Sequence, residues 1–311
     1  MTDLTMYFSN ICILGRMENA ALRRLAEDVK GFGVNLDARL FGLGQEYYLH
    51  RYFKQEPALP DILISTDLEV FENNAVFDGL PDGFIDLTRF FEIKSTVPKN
   101  VFWSDKLLPF LIIPMVFFHS GPDAFRGLPP TLENVIKHDI PVTFGGVNNS
   151  GAKCVLKSVH DRFGIEACER LARNAVVTDM PIGAFNRARK GESALALVPS
   201  VYAMRADQTA FYMTYPADGA IALPSYAAVK RDNAELAVKV LKALLTADFC
   251  AQFVTQGALY CGLAGTPDPE LLRVNGFDMA YPSAKYVAAP QPDFYRVYER
   301  YVKKSGVSPD F

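Results

Sequence analysis

The glycine-rich turn within residues 141–163, PVTFGGVNNSGAKCVLKSVHDRF, is the stretch of this chain whose residue types and spacing most directly suggest binding chemistry. An apolar strand breaks there on Gly145 and Gly146, and Val155, Leu156, Val159 and Phe163 then recur at helical spacing. Asn148, Asn149 or Ser150 can supply the N-cap oxygen ahead of Gly151. The first N–H groups of such a helix have no partner within it, and the macrodipole adds about half a positive charge, so an anion or a polarised oxygen is welcome. An ordinary capped helix in a strand–loop–helix unit has the same pattern. Nucleotide chemistry does not fit: Ala152 stands where a P-loop needs Lys, no Ser or Thr follows for Mg²⁺, and glycines 145, 146 and 151 miss the dinucleotide spacing.

The cysteines at 12, 154, 168, 250 and 261 are odd in number, widely spaced and free of C-x-x-C, so neither a disulfide framework nor a structural zinc site follows. The histidines at 50, 119, 138 and 160 show no ligand spacing and read as packing or surface residues, and no metal or cofactor is expected. With 311 residues, half of them hydrophobic, the chain can build two cores. A formal net charge of −3 with dispersed Lys and Arg supplies no basic field for nucleic acid. The most apolar run, 107–118, is broken by Pro109 and Pro114 and falls short of the roughly 20 residues of a membrane helix. The first residues, MTDLTMYFSN, enter a strand with no basic or apolar leader before it. The expected location is therefore cytoplasmic if Met1 is the native start, and periplasmic or otherwise extracytoplasmic if an export signal has been removed.

Strands are expected at 4–8, 34–40, 61–65, 107–118, 175–177, 193–198, 210–215 and 219–223. Between them, helices are expected near 22–32, 45–53, 132–136, 165–173, 181–190 and 233–245, with a last one carrying Phe294, Val297, Tyr298, Tyr301 and Val302. The run at 61–66 ends in hydroxyl residues, which suits a parallel strand with function at its carboxyl end. Residues 260–292, rich in Pro and Gly, read as a long surface excursion.

Taken in order, DILIST at 61–66, IPMVFFHS at 113–120, TFGGVNNSGAKCVLKSV at 143–159, ALALVPSVYA at 194–203 and YPADGAIALPSYAAVKRD at 215–232 resemble the type II periplasmic solute-binding proteins of ABC transporters. Within that group the resemblance is to the branch of iron, molybdate, thiamine and polyamine binders. It implies an α/β fold of two lobes, each a mostly parallel sheet of five strands with helices on both faces, joined by two hinge strands near 112–118 and 212–215. The lobes would be 1–113 with 214–311, and 114–213. A ligand would sit in an interlobe cleft faced by Ser9, Asn10, Ser65, Thr66, Asn148, Asn149, Ser150, Ser200, Tyr202, Tyr215 and Ser225. Mostly neutral donors and acceptors of this kind suit a small anion or zwitterion. The iron binders' paired tyrosines are absent from the matching region, where Tyr202, Tyr212 and Tyr215 stand apart. The implied function is capture of a small solute by a monomer that passes it to an ABC permease, with no catalysis. An enzyme on the same fold, of the pyrimidine or thiamine-precursor type, is the alternative. Cys12 would then lie near the cleft, with no His or carboxylate identifiable as its base and with a buried position between Ile11 and Ile13 as its plainer explanation.

Overall fold

The computed structural model describes residues 1–56, 58–71, 83–147 and 151–303. It divides into two compact units, the first comprising Met1–Val97, Phe102–Ile112 and Pro224–Pro269, the second Pro98–Val101, Ile113–Leu223 and Glu270–Phe311.

In the first unit the strand β1 (Thr2–Ser9) buries Leu4, Met6, Tyr7 and Phe8 in near succession, the mark of a strand covered on both faces. It pairs in parallel with β2 (Val34–Phe41), Thr2 opposite Val34 and Ser9 opposite Phe41. On its other side lies β3 (Ile62–Ser65), also parallel, with Met6 opposite Ile62. The helix Gly15–Asp28 makes the β1–β2 crossover, and its buried positions Glu18, Leu22 and Leu25, with Val29 beyond, recur at one helical face. β4 (Leu108–His119) contributes its first residues to this unit. β9 (Ala220–Val229) completes the order β2-β1-β3-β9 by running antiparallel to β3, Ser65 opposite Tyr226. The helices Ala234–Leu244 and Ala247–Gly257 follow, and then β10 (Tyr260–Cys261) pairs antiparallel with β4 at Ile112 and Leu111.

In the second unit the rest of β4 pairs antiparallel with β7 (Leu195–Pro199), Met115 opposite Pro199. β7 is followed in the sheet by the parallel strands β5 (Thr143–Gly145) and β6 (Val176–Thr178). Two short strands extend this part: β8 (Tyr212–Thr214) along β4, and β11 (Met279–Ala280) parallel to the start of β9. The helices Gly151–Phe163, Ile165–Asn174 and Pro181–Arg189 link the parallel strands.

Three expectations change. The second strand to pass from one unit to the other is β9, at Leu223–Pro224, and residues 212–215 belong wholly to the second unit. Both passing strands carry a proline at the boundary, Pro114 and Pro224, where a ladder N–H is missing. Residues 270–303 group with the second unit, because the helix Pro292–Tyr298 buries Phe294, Val297 and Tyr298 and packs on the helices Ile165–Asn174 and Gly151–Phe163. Residues 260–292 are no surface excursion: they carry β10, β11 and two short helices and bury Tyr260, Cys261, Leu263, Leu272, Met279 and Tyr281. Strands of two residues are too short to leave a periodic signal.

Candidate functional site

In the first unit the carboxyl ends of two adjacent parallel strands bring Ser9 and Ser65 together, although 56 residues separate them. Both are buried, and their hydroxyl oxygens lie 2.9 Å apart. The backbone N–H of Asp67 donates to Ser65 Oγ at 2.9 Å. The pair therefore holds two hydroxyl hydrogens, of which one makes the mutual bond, whichever serine donates it. The other remains for an acceptor. Thr66, half-buried, follows directly. Ser225 is buried on β9 one residue before Tyr226, the partner of Ser65, so it flanks the same strand end. Tyr226 itself is fixed by Phe71 and Trp103, with ring centroids at 5.2 and 5.7 Å.

Asp67 is anchored in turn. Its Oδ2 meets His50 Nδ1 at 2.5 Å, both side chains are buried, and the His50 ring stacks on Tyr48. His50 was expected to be a packing or surface residue; its ring does pack, yet it also clamps the loop after β3. Nothing in the spacing of a lone histidine on the helix Leu49–Gln55 signals this, because its partner lies 17 residues away.

Asn10 is held by its backbone N–H to Phe41 O (2.8 Å) and by Nδ2 to Leu43 O (3.1 Å). Its Oδ1 is buried without a hydrogen-bond partner among the described residues. Gly42, at φ 116°, lies so close that a Cβ there would sit 2.4 Å from that oxygen. Glu18 lies beneath the same loop, fully buried, with Oε2 accepting from Ile11 N–H at 2.9 Å and Oε1 unpartnered among the described residues. Burial pushes its carboxyl up to about 8, against a smaller lowering by the Ile11 N–H, so at neutral pH it carries its proton. Glu18 occupies the helical face of Leu22, Leu25 and Val29, a position legible in the periodicity once an acidic residue is admitted to it. Cys12 opens the short 3-10 turn Cys12–Leu14; its side chain lies outside the described residues.

In the second unit β5 ends on Gly145 and Gly146. A Cβ at Gly145 would stand 2.4 Å from Met180 O and 2.6 Å from Thr178 Oγ1, so glycine is what lets this strand end approach the neighbouring turn. Gly146, at φ 112°, donates to Thr178 O at 3.0 Å, and its own carbonyl accepts from Ala152 N–H at 3.2 Å. Asn148, Asn149 and Ser150 lie outside the described residues. The helix begins at Gly151 as expected, but every residue from Gly151 to Val159 is buried, Lys153 and Lys157 included. The ammonium of Lys153 lies over the rings of Tyr295 and Tyr298, and that of Lys157 over Phe294 and Tyr295, at 5.1–5.6 Å.

Ser200 and Tyr202 are buried in the turn of helix after β7, Tyr202 against Phe185. Tyr215 follows β8 on the opposite side of β4, at the end of that strand where Met115 faces Pro199. The Tyr215 hydroxyl donates to Asp278 O at 2.8 Å, and burial pushes it up to about 12. Its hydrogen is thus committed within the protein, and only its lone pairs remain for a ligand. The structure brings Ser9, Ser65, Thr66 and Ser225 to one strand end with Asn10 beside them. It sets Ser200 and Tyr215 on opposite sides of β4.

Residues 140–291 match the model of a family described as bacterial extracellular solute-binding protein. None of the curated proteins matches the chain in sequence. Among solved structures, iron-bound HitA from Pseudomonas aeruginosa is similar with a TM-score of 0.68 at 14% identity, over 99% of this chain and 100% of that one. Apo FutA2 from Synechocystis PCC6803 has a TM-score of 0.65 at 17% identity, over 97% and 99%. A periplasmic thiamin binding protein has 0.63 at 17%, over 96% of each chain. At such identities the likeness is one of fold. The chain is thus similar to that family over residues 140–291 and has, over nearly its whole length, the fold of these periplasmic binding proteins.

Proposed function

We propose that the chain is the substrate-binding protein of an ABC transporter and that its solute is a small anion or zwitterion. The observation that supports this chemical class is the Ser9–Ser65 pair, which keeps one hydroxyl hydrogen for an acceptor at a buried strand end. A buried neutral donor stabilises a desolvated oxyanion or carboxylate without the cost of burying a counter-charge. Asp67, the acidic group of this cluster, has Oδ2 tied to His50, which lessens its repulsion of an anion. Ser225, Thr66 and Asn10 add further polar atoms of the right kind, and we assign to the same role Asn148, Asn149 and Ser150 ahead of the helix Gly151–Phe163, with Ser200, Tyr202 and Tyr215. The chain acts outside the cytoplasm, as a monomer without nucleic acid, and hands its solute to a membrane permease without transforming it.

The similar structures include binders of iron and of thiamin, so the test must separate cations from anions. Thermal melting of the purified chain is measured against phosphate, sulfate, molybdate, amino acids, thiamine, polyamines and iron(III) citrate. Stabilisation by an oxyanion or a carboxylate-bearing solute supports the reading. Stabilisation by polyamine, thiamine or iron alone overturns the chemical class, and no response to any small solute overturns capture as the role.

A further inference from the structure

Ser9, Ser65 and Tyr226 form a row across three adjacent strands at one end of the first unit's sheet. In the parallel pair β1 and β3 the register that sets Phe8 opposite Ile64 carries on to the two serines, whose oxygens meet at 2.9 Å. In the antiparallel pair β3 and β9, Ser65 stands directly opposite Tyr226. Directly opposed residues of neighbouring strands point to the same face, with Cβ atoms about 4.5–5.5 Å apart in an antiparallel pair, so the Tyr226 ring rises from the same face as the hydroxyls. Tyr226 is fully buried, and Phe71 meets its ring edge-on. Trp103 lies over that ring at an interplanar angle of 30°, with centroids 5.7 Å apart, and is itself half-buried. The turn that carries Trp103 is fixed: Ser104 O accepts from Leu107 N–H, Ser104 Oγ from Lys106 N–H and Asp105 O from Leu87 N–H, each at 3.2 Å. The face that carries the serine pair therefore ends, one strand further on, in a held indole of which part reaches solvent. Two residues beyond Ser65, Asp67 adds a carboxyl group, its N–H on Ser65 Oγ.

Granted that the serine pair receives the anionic group of the solute, as proposed above, we infer that Trp103 is a specificity-determining residue and that the solute is an organic zwitterion, with its carboxylate on the serine hydroxyls and an alkylated ammonium against the indole. Three kinds of group converge on this chemistry. The hydroxyl hydrogen of the serine pair suits a carboxylate. The face of an indole attracts a cation through its quadrupole and offers nothing comparable to an inorganic oxyanion. Asp67 repels a second negative charge and attracts a positive one. An ammonium that carries methyl groups spreads its charge over a larger and more weakly hydrated surface, so it gives up less on leaving water and buries apolar area on the ring. An indole that merely covered Tyr226 would create no such preference among solutes.

The test titrates the full chain with glycine, sarcosine, dimethylglycine and trimethylglycine, which share one carboxylate and differ only in methylation of the ammonium, and separately with sulfate. Affinity is read by calorimetry, and contact by the emission of Trp103, the only tryptophan of the chain. The expected result is an affinity that rises along the series, by about two- to thirtyfold from glycine to trimethylglycine, with a change in emission that saturates as the site fills. Trp103→Leu should abolish that gradient, and Trp103→Phe, which keeps a smaller aromatic face, should retain part of it. Equal affinity along the series, binding without a change in emission, or sulfate bound in preference to all four would each overturn the role of Trp103 while leaving capture at the serine pair in place. If none of the five binds, the zwitterion is overturned as the solute, and the melting panel described above decides separately whether capture of another solute stands. The wild-type series alone decides the matter if Trp103→Leu does not fold.

Discussion

Glu18 is a carboxyl that the fold keeps protonated, and this has a definite consequence for stability. Its folded-state pKa of about 8 lies above the value of 4.5 for an exposed carboxyl, so between those two the folded chain holds a proton that the unfolded chain has shed. Stability falls as pH rises through that window and levels off above it. Glu18→Gln, which keeps an acceptor for Ile11 N–H, should remove this slope and be the more stable protein near pH 8, by on the order of a few kcal/mol. Urea denaturation of both proteins at pH 5, 6.5 and 8 checks it; parallel curves would mean that Glu18 is ionised throughout. The serines make a contrasting pair. Ser65→Ala leaves Asp67 N–H without its acceptor and should cost roughly 1–3 kcal/mol of stability, whereas Ser9→Ala strands no backbone group and should cost less. Both should weaken binding of an anionic solute by about ten- to a hundredfold, the worth of a hydrogen bond to a charged group. Calorimetric titration of the two variants separates these effects, and unchanged affinity in Ser9→Ala would remove that hydroxyl from the site.

At the scale of elements, what periodicity could convey was legible. The strands near 4–8, 34–40 and 61–65 and the helices near 165–173 and 233–245 appear within a few residues of expectation, since each buries a continuous run or a regular face. The helix Gly151–Phe163 was legible in its start and not in its surroundings. Its polar positions 153 and 157 are covered by a helix more than 130 residues downstream, and cation–aromatic contact replaces the solvent that lysines normally face. The glycines before it read as an anion-binding turn, yet Gly145 has a packing reason of its own. Gly145→Ala would push a Cβ against Met180 O and Thr178 Oγ1, and overpacking against backbone should cost about 1–3 kcal/mol. Denaturation midpoints measure it, and a loss below about 0.5 kcal/mol would show that the end of β5 relaxes freely.

For the whole molecule, the proposed capture of a solute would appear as stability. A solute present at 100 times its dissociation constant should add roughly 2.7 kcal/mol to unfolding, whatever its chemistry, because it binds the folded chain and not the unfolded one. A melting point that rises and saturates with concentration, in step with affinity measured separately, is the expected behaviour; a rise without measurable binding would point to a non-specific salt effect. The amino-acid sequence by itself determined the class of fold, the order of its main elements and the strand ends at which polar residues gather, because apolar periodicity and chain punctuation are local. Only the tertiary structure decided that Ser9 shares a hydrogen with Ser65, that His50 clamps Asp67, that Glu18 is sealed from water and that residues 270–303 complete the second unit. Those are pairings between groups distant in sequence, and which partner a polar group finds depends on where the apolar surfaces around it close.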